Sequence, residues 1–180
     1  MGKVHDSISD AVRQWIEQQR MFFVATAPLG SDGLINCSPK GYDSLRVLGP
    51  TEVAYVDLTG SGVETIAHLH ENGRIVLMFC AFDGPPKIVR LHGTGEVISA
   101  GDAAFPGLSA LFPHYPGTRA IIRVTVTRVS DSCGYAVPTY QFRSQRDTLT
   151  RWSEAKGPEG LQKYRKQKNS VSIDGLPALE

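Results

Sequence analysis

Cysteine is scarce in this chain, with Cys37, Cys80 and Cys133 the only three in 180 residues. They are odd in number and show no C-x-x-C spacing, which argues against a disulfide framework or a cysteine-based zinc site and suggests a reducing cytosol. An excess of one charge is also missing. Nineteen Lys and Arg face eighteen Asp and Glu, a formal charge of +1, so no global field draws the chain to nucleic acid or to a membrane surface. No apolar run reaches the length of a membrane span, and no charged start, long apolar stretch and small-residue cleavage site opens the chain. Met1-Gly2 is followed by Asp6 where a myristoylation signal needs Ser or Thr. A soluble, cytoplasmic protein with neither nucleic acid nor membrane as partner is therefore expected. The histidines, His5, His68, His70, His92 and His114, show no H-E-x-x-H or other metal spacing, so no metal is expected. His68 and His70 are two apart and cannot face one ligand from a helix. There is no G-x-S-x-G elbow, no P-loop, and no histidine partner evident for Cys133. If the chain is an enzyme, a bound cofactor must carry the chemistry.

With 41% hydrophobic and 21% charged residues, the chain suits one compact domain with a sizeable core. Residues 7 to 20 read as an amphipathic helix capped by Ser7 or Ser9, with Ala11, Val12, Trp15 and Ile16 on one face. Met21–Ala27 and Leu34–Lys40 read as strands joined through Asp32-Gly33, a hairpin signal. Lys87–Ile98 alternates polar and apolar side chains. Gly93 and Gly95 within it mark a bend or bulge, or else a close approach of ligand, the bend being the favoured reading. Residues 101 to 118 hold a short helical piece and a Pro-rich turn, and Ala120–Val129 is a further alternating strand. At least six strands with short connections argue for a small antiparallel barrel.

The most informative segment runs from Glu52 to Phe79. Val53 and Tyr55 belong to a strand, and Ile75 begins a nearly continuous apolar run to Phe82. Between them, Ser61 and Glu64 have the spacing of a capping box, and Asn72-Gly73 supplies a left-handed stop. Gly60 and Gly62 flank Ser61, so the helix start suits either a bound anion or a plain helix cap. Both remain open from local chemistry.

Taken together, Arg20-Met-Phe-Phe-Val-Ala-Thr26, Ile35-Asn-Cys-Ser-Pro-Lys-Gly41, the strand at Tyr55, a short helix over 62 to 71, and Asn72-Gly-Arg-Ile-Val-Leu-Met-Phe79 resemble the pyridoxamine 5'-phosphate oxidase-like family of FMN-binding split barrels. The resemblance covers most of residues 10 to 130. It implies a mainly β, antiparallel split barrel with flanking helices, formed by residues 1 to 132, with residues 133 to 180 as a helical extension packed on the same domain. It also implies a homodimer with FMN at the interface, acting as an oxidoreductase on a small-molecule substrate. By that resemblance the cofactor lies against Asn36, Cys37, Ser38 and Lys40, against Tyr55, Asp57, Leu58, Thr59, Ser61, Gly62 and Thr65, and against Met78 and Phe79. Deazaflavin, haem or no cofactor, in a binding or sensing protein without turnover, form the alternative.

One departure from the family matters: the oxidase carries basic residues after the serine of its phosphate turn, whereas this chain has Ser61-Gly-Val-Glu64. Lys40 is the nearest match to a phosphate-binding lysine, with Arg46, Arg74 and Lys87 as further candidates. The Arg and His that handle pyridoxal phosphate in the oxidase have no match near the C-terminus, so vitamin B6 oxidation is not expected. In the extension, Cys133–Tyr140 is expected to cross the cofactor pocket, Trp152 and Tyr164 to pack the helices onto the barrel, and Lys163–Lys168 to form a solvated basic face.

Overall fold

Short connections between alternating apolar segments favour antiparallel pairing, and the computed structural model, which describes residues 2–179, is a mainly antiparallel β structure with flanking helices. Along the chain lie β1 (Val4–His5), α1 (Asp10–Glu17), β2 (Phe22–Thr26), β3 (Asn36–Lys40), β4 (Leu45–Gly49) and β5 (Glu52–Leu58). Then follow α2 (Glu64–Asn72), β6 (Arg74–Cys80), β7 (Ile88–Ser99), α3 (Phe105–Ser109), β8 (Thr118–Ser132) and α4 (Thr148–Lys168). The sheet order is β3-β2-β6-β7-β8-β5-β4, with β1 paired to β8. β3 and β4 stand at opposite ends of that path, yet only residues 41–44 connect them. Such a connection spans no more than about 18 Å, so the sheet has to curl until its two ends meet. The result is a split β-barrel, whose seam lies where β3 comes round to β5.

Burial follows the period of two. Phe22, Val24 and Thr26 are buried on β2, and opposite them Lys40, Ser38 and Asn36 of β3 are half-buried, while Cys37 and Pro39 face out. Pro39 is tolerated because β3 is an edge strand. Strand β5 is buried on both faces. Val53 and Tyr55 join the barrel interior, whereas Ala54 and Val56 pack under α3 with Ile98, Phe112 and Ile121. Helix α2 lays Ile66, Ala67 and Leu69 against the barrel, each large apolar side chain contributing about 1.5–3 kcal/mol.

Gly93 sits at a register shift between β7 and β8, and a Cβ there would lie 2.1 Å from the Thr125 carbonyl oxygen. The bend favoured from sequence is thus the observed one, and the neighbouring backbone, not a ligand, occupies the space. Gly95 leaves room for Leu69 of α2. Helix α1 is shorter than expected and is capped by Ser9, whose Oγ accepts from the Val12 amide at 3.3 Å; Ala11 is exposed. Strand β4 was not anticipated: only Val47 of its five residues is buried.

The capping box is not formed. Helix α2 starts at Glu64 with Val63 as its N-cap and no side-chain cap bond, while Gly73 stops it in the left-handed region at φ 71°. The reason is tertiary: Asn169 donates to the Gly60 carbonyl at 3.0 Å and to the Ser61 carbonyl at 3.4 Å, holding the turn outside the helix. Helix α4 breaks at Gly157-Pro158, where Gly157 has φ 64°. Trp152 and Tyr164 meet each other across that break, centroids 5.0 Å apart and edge to face, and belong to neither apolar core. Leu161 is the buried apolar contact of the helix, and beyond it Leu176, Ala178 and Leu179 pack against the barrel interior.

Candidate functional site

At the seam, β3 presents three inward side chains to β5 and α2. Asn36 donates to Thr26 Oγ1 at 3.1 Å and to Thr65 Oγ1 at 3.0 Å, tying β3 to the first turn of α2. Lys40 reaches Asp57 of β5 with its Nζ 3.2 Å from Oδ1. Ser38, between them, has a buried hydroxyl with no partner among the described residues. Asp57 is fully buried, and its other oxygen accepts from Nε of Arg119 on β8. Burial would push the Asp57 carboxyl up, but Arg119 and Lys40 outweigh it and hold the group below the ordinary carboxylate range. Tyr55 shares this interior face. Burial, with Asp57 adding to it, raises its phenol well above the usual value, and its hydroxyl has no partner.

A β-bulge delivers Arg119. Asp57 pairs with Ala120 and Leu58 with Thr118, so Arg119 is the extra residue of β8. A bulge re-aims its side chain, and here it turns the guanidinium to Asp57 instead of following the strand's alternation. Only 8% of Arg119 is exposed, and its Nη1 is buried without a partner among the described residues. From α4, Arg165 donates through Nε to Thr59 Oγ1 at 2.9 Å and through Nη2 to the Thr118 carbonyl at 2.9 Å. Burial and then the nearby Arg119 lower its pKa. Two cations, Lys40 and Arg119, thus share one carboxylate, and Arg165 is tied to Thr59 and Thr118 alongside. The turn beside them, Ser61-Gly62, is exposed.

The residues expected at the site separate into two groups. Asn36, Ser38, Lys40, Asp57, Thr59, Ser61, Gly62 and Thr65 come together along the seam or its turn. The others lie elsewhere: Cys37 points outward, and Leu58 packs under α3. Met78 is half-buried opposite Phe23. Phe79 is buried in the interior, stacked on Phe22 at 5.5 Å. Tyr55 sends only its hydroxyl toward the seam, its ring lying 5.6 Å from Phe22.

Of the further cations, Arg46 is held by Asp43, Arg74 by Asn72 and the Pro28 carbonyl, and Lys87 lies over Trp15 at 5.0 Å. None joins Lys40. Glu64 folds its carboxylate over Gly62, where an added Cβ would strike it, so the start of α2 already carries an anion of its own. Arg119 and Arg165 are the members that sequence reasoning missed. Lys163, Lys166 and Lys168 are exposed, as a solvated face should be, but Arg165 turns inward. The spacing Leu161, Arg165, Asn169, one residue every four, carried the signal for that inward face.

A second concavity lies outside the barrel. It encloses about 1400 Å³ between the end of α1, the 82–87 loop and the strap 131–144 that follows β8, with Trp15, Arg20, Lys87, Tyr140 and Phe142 in its walls. It shares no lining residue with the seam. The Cys133–Tyr140 segment covers this cleft and not the Lys40–Asp57 seam. Among the described residues, no helix is long and apolar enough to cross a membrane.

A family model described as pyridoxamine 5'-phosphate oxidase matches residues 8–133. The pyridoxamine 5'-phosphate oxidase family protein ustO of Aspergillus flavus is 41% identical over 192 residues, spanning 97% of this chain and 77% of that protein. Among solved structures, HupZ of Group A Streptococcus superposes with a TM-score of 0.52 at 24% identity, over 68% of this chain and 91% of that one. A Clostridium acetobutylicum protein related to general stress protein 26 gives a TM-score of 0.51 at 19% identity, over 67% and 84%. These two show the likeness of fold.

Proposed function

Because the chain belongs to the pyridoxamine 5'-phosphate oxidase family, we propose that it is a flavin-dependent oxidoreductase that holds FMN at the seam and acts on a small-molecule substrate. The observation that carries this reading is the buried charge imbalance around Asp57, with Arg119 Nη1 left unpartnered inside it. Buried cations in excess of carboxylates are costly without a counter-anion, and a phosphate monoester has the charge and acceptor oxygens to supply one. Lys40 and Arg119 would hold the phosphate, and Asp57 keeps both in place. The unpartnered hydroxyl of Ser38 is a polar group available to the rest of the cofactor. When bound, a flavin supplies hydride or electron transfer; the chain's own side chains bind it, orient it and exclude water. No seam residue is assigned as acid, base or nucleophile.

The working form in this proposal is a cytosolic homodimer. Leu34 and Ile35 just before the edge strand β3, and Val171 and Ile173 beside them, are exposed apolar side chains of the kind a second copy would cover.

The test is the visible absorbance spectrum of the purified protein, before and after titration with FMN and then with a reduced nicotinamide under anaerobic conditions. Flavin bands that perturb on binding, bleach with the reductant and need more FMN in Lys40→Ala support the reading. A Soret band would replace flavin by haem, and a spectrum indifferent to FMN would contradict the proposal.

A further inference from the structure

We propose that the C-terminal helix completes the phosphate site: Arg165 clasps the phosphate from across the seam and makes the protein select phosphorylated flavin over riboflavin. This rests on the flavin reading above and assigns a specificity role to a helix beyond residues 8–133, the part that matches the family model. Leu161, Arg165 and Asn169 recur every fourth residue, so one face of α4 meets the barrel. Leu161 is buried on that face, and Asn169 grips the Gly60 and Ser61 carbonyls. Arg165 lies between those two positions and is fixed on Thr59 and on the carbonyl of Thr118, the residue before Arg119.

A tether to Thr59 Oγ1 and the Gly117 and Thr118 carbonyls requires only a neutral donor. All three acceptors are neutral, and among the described residues no carboxylate pairs with Arg165. A second guanidinium set next to Arg119 is electrostatically unfavourable in a half-buried place, unless the site takes up an anion that both forks can bind. The Glu64 carboxylate over Gly62 disfavours an anion at the helix start, which leaves the Lys40, Arg119 and Arg165 side of the turn. The Lys40 side chain keeps 21% of its surface exposed, and Ser61 and Gly62 of the adjoining turn are exposed.

Dissociation constants for FMN and for riboflavin, measured by flavin fluorescence on the full chain and on Arg165→Gln and Arg165→Lys, separate binding from architecture. Loss of hydrogen bonds to a charged group is expected to weaken FMN about ten- to hundredfold in Arg165→Gln and to leave riboflavin unchanged. Arg165→Lys, which keeps the charge but not the fork, should lose several-fold for FMN alone, and it carries the test if the glutamine variant does not fold. Equal weakening of both flavins, or no change for FMN, overturns the clasp and leaves the flavin reading intact. An unaltered protein that binds neither flavin overturns the flavin reading, and the clasp with it.

Discussion

The seam and the outer cleft each combine cations with aromatic or polar walls, yet they use their cations in different ways. In the cleft, Lys87 lies over Trp15 at 5.0 Å and Arg20 over Phe142 at 5.3 Å, with Asp83 and Asp131 in the same walls and solvent on the open side. Those cations are screened and individually satisfied. At the seam, a fully buried carboxylate is shared by two cations, a third stands close by, and a guanidinium nitrogen is left without a partner. The cleft encloses about 1400 Å³, but volume alone says little about charge recognition. A buried charge set with an unpartnered guanidinium nitrogen marks a ligand site more sharply than a roomy, solvent-screened surface does.

Asp57→Ala should widen the contrast most. Removing the shared carboxylate strands Lys40 and Arg119, and the expected loss is about 3–5 kcal/mol in a denaturant titration. Acid denaturation probes the same group without mutation. Its folded-state pKa is depressed, so its stabilisation is complete above the unfolded carboxylate pKa of about 3.9 and is lost as pH falls through the lower folded value. Melting temperature should therefore hold steady from neutral pH down to about 4 and fall as pH drops from there toward the folded value.

Thr59→Val removes the acceptor of Arg165 Nε, in a part-buried setting, and the donor to the Gly117 carbonyl, in a buried one. About 1–3 kcal/mol is expected, read from the shift in denaturant midpoint. At the other extreme, Lys87→Ala or Arg20→Ala in the cleft should cost no more than about 1 kcal/mol. Flavin affinity should be indifferent to both cleft variants. A cleft variant that abolished FMN binding would reverse the ranking of the two regions.

Much of the barrel was legible because its strands are either alternating or continuously apolar, as in β2, β6, β7 and β8. β4 escaped notice as a short edge strand with one buried residue. At the site, Lys40, Asp57 and Thr59 could be named through the family resemblance, Lys40 also from its place at the end of a strand. Arg119 could not, because a bulge in tertiary pairing turns it inward and no local pattern announces that register shift. Arg165 was hidden for another reason: it sits in a basic run whose lysines are solvated, and only its four-residue spacing from Leu161 and Asn169 distinguishes it. Ser61 and Glu64 misled in the opposite direction. Their spacing is that of a capping box, but Asn169 pulls the turn away from the helix.

The most direct measurement is a crystal structure of the protein soaked or co-crystallised with FMN. Phosphate density within hydrogen-bonding distance of Lys40 and Arg119, with Arg165 closing on it, is the expected result. Phosphate density in the outer cleft among Trp15, Arg20 and Lys87, with the seam unchanged, would contradict it.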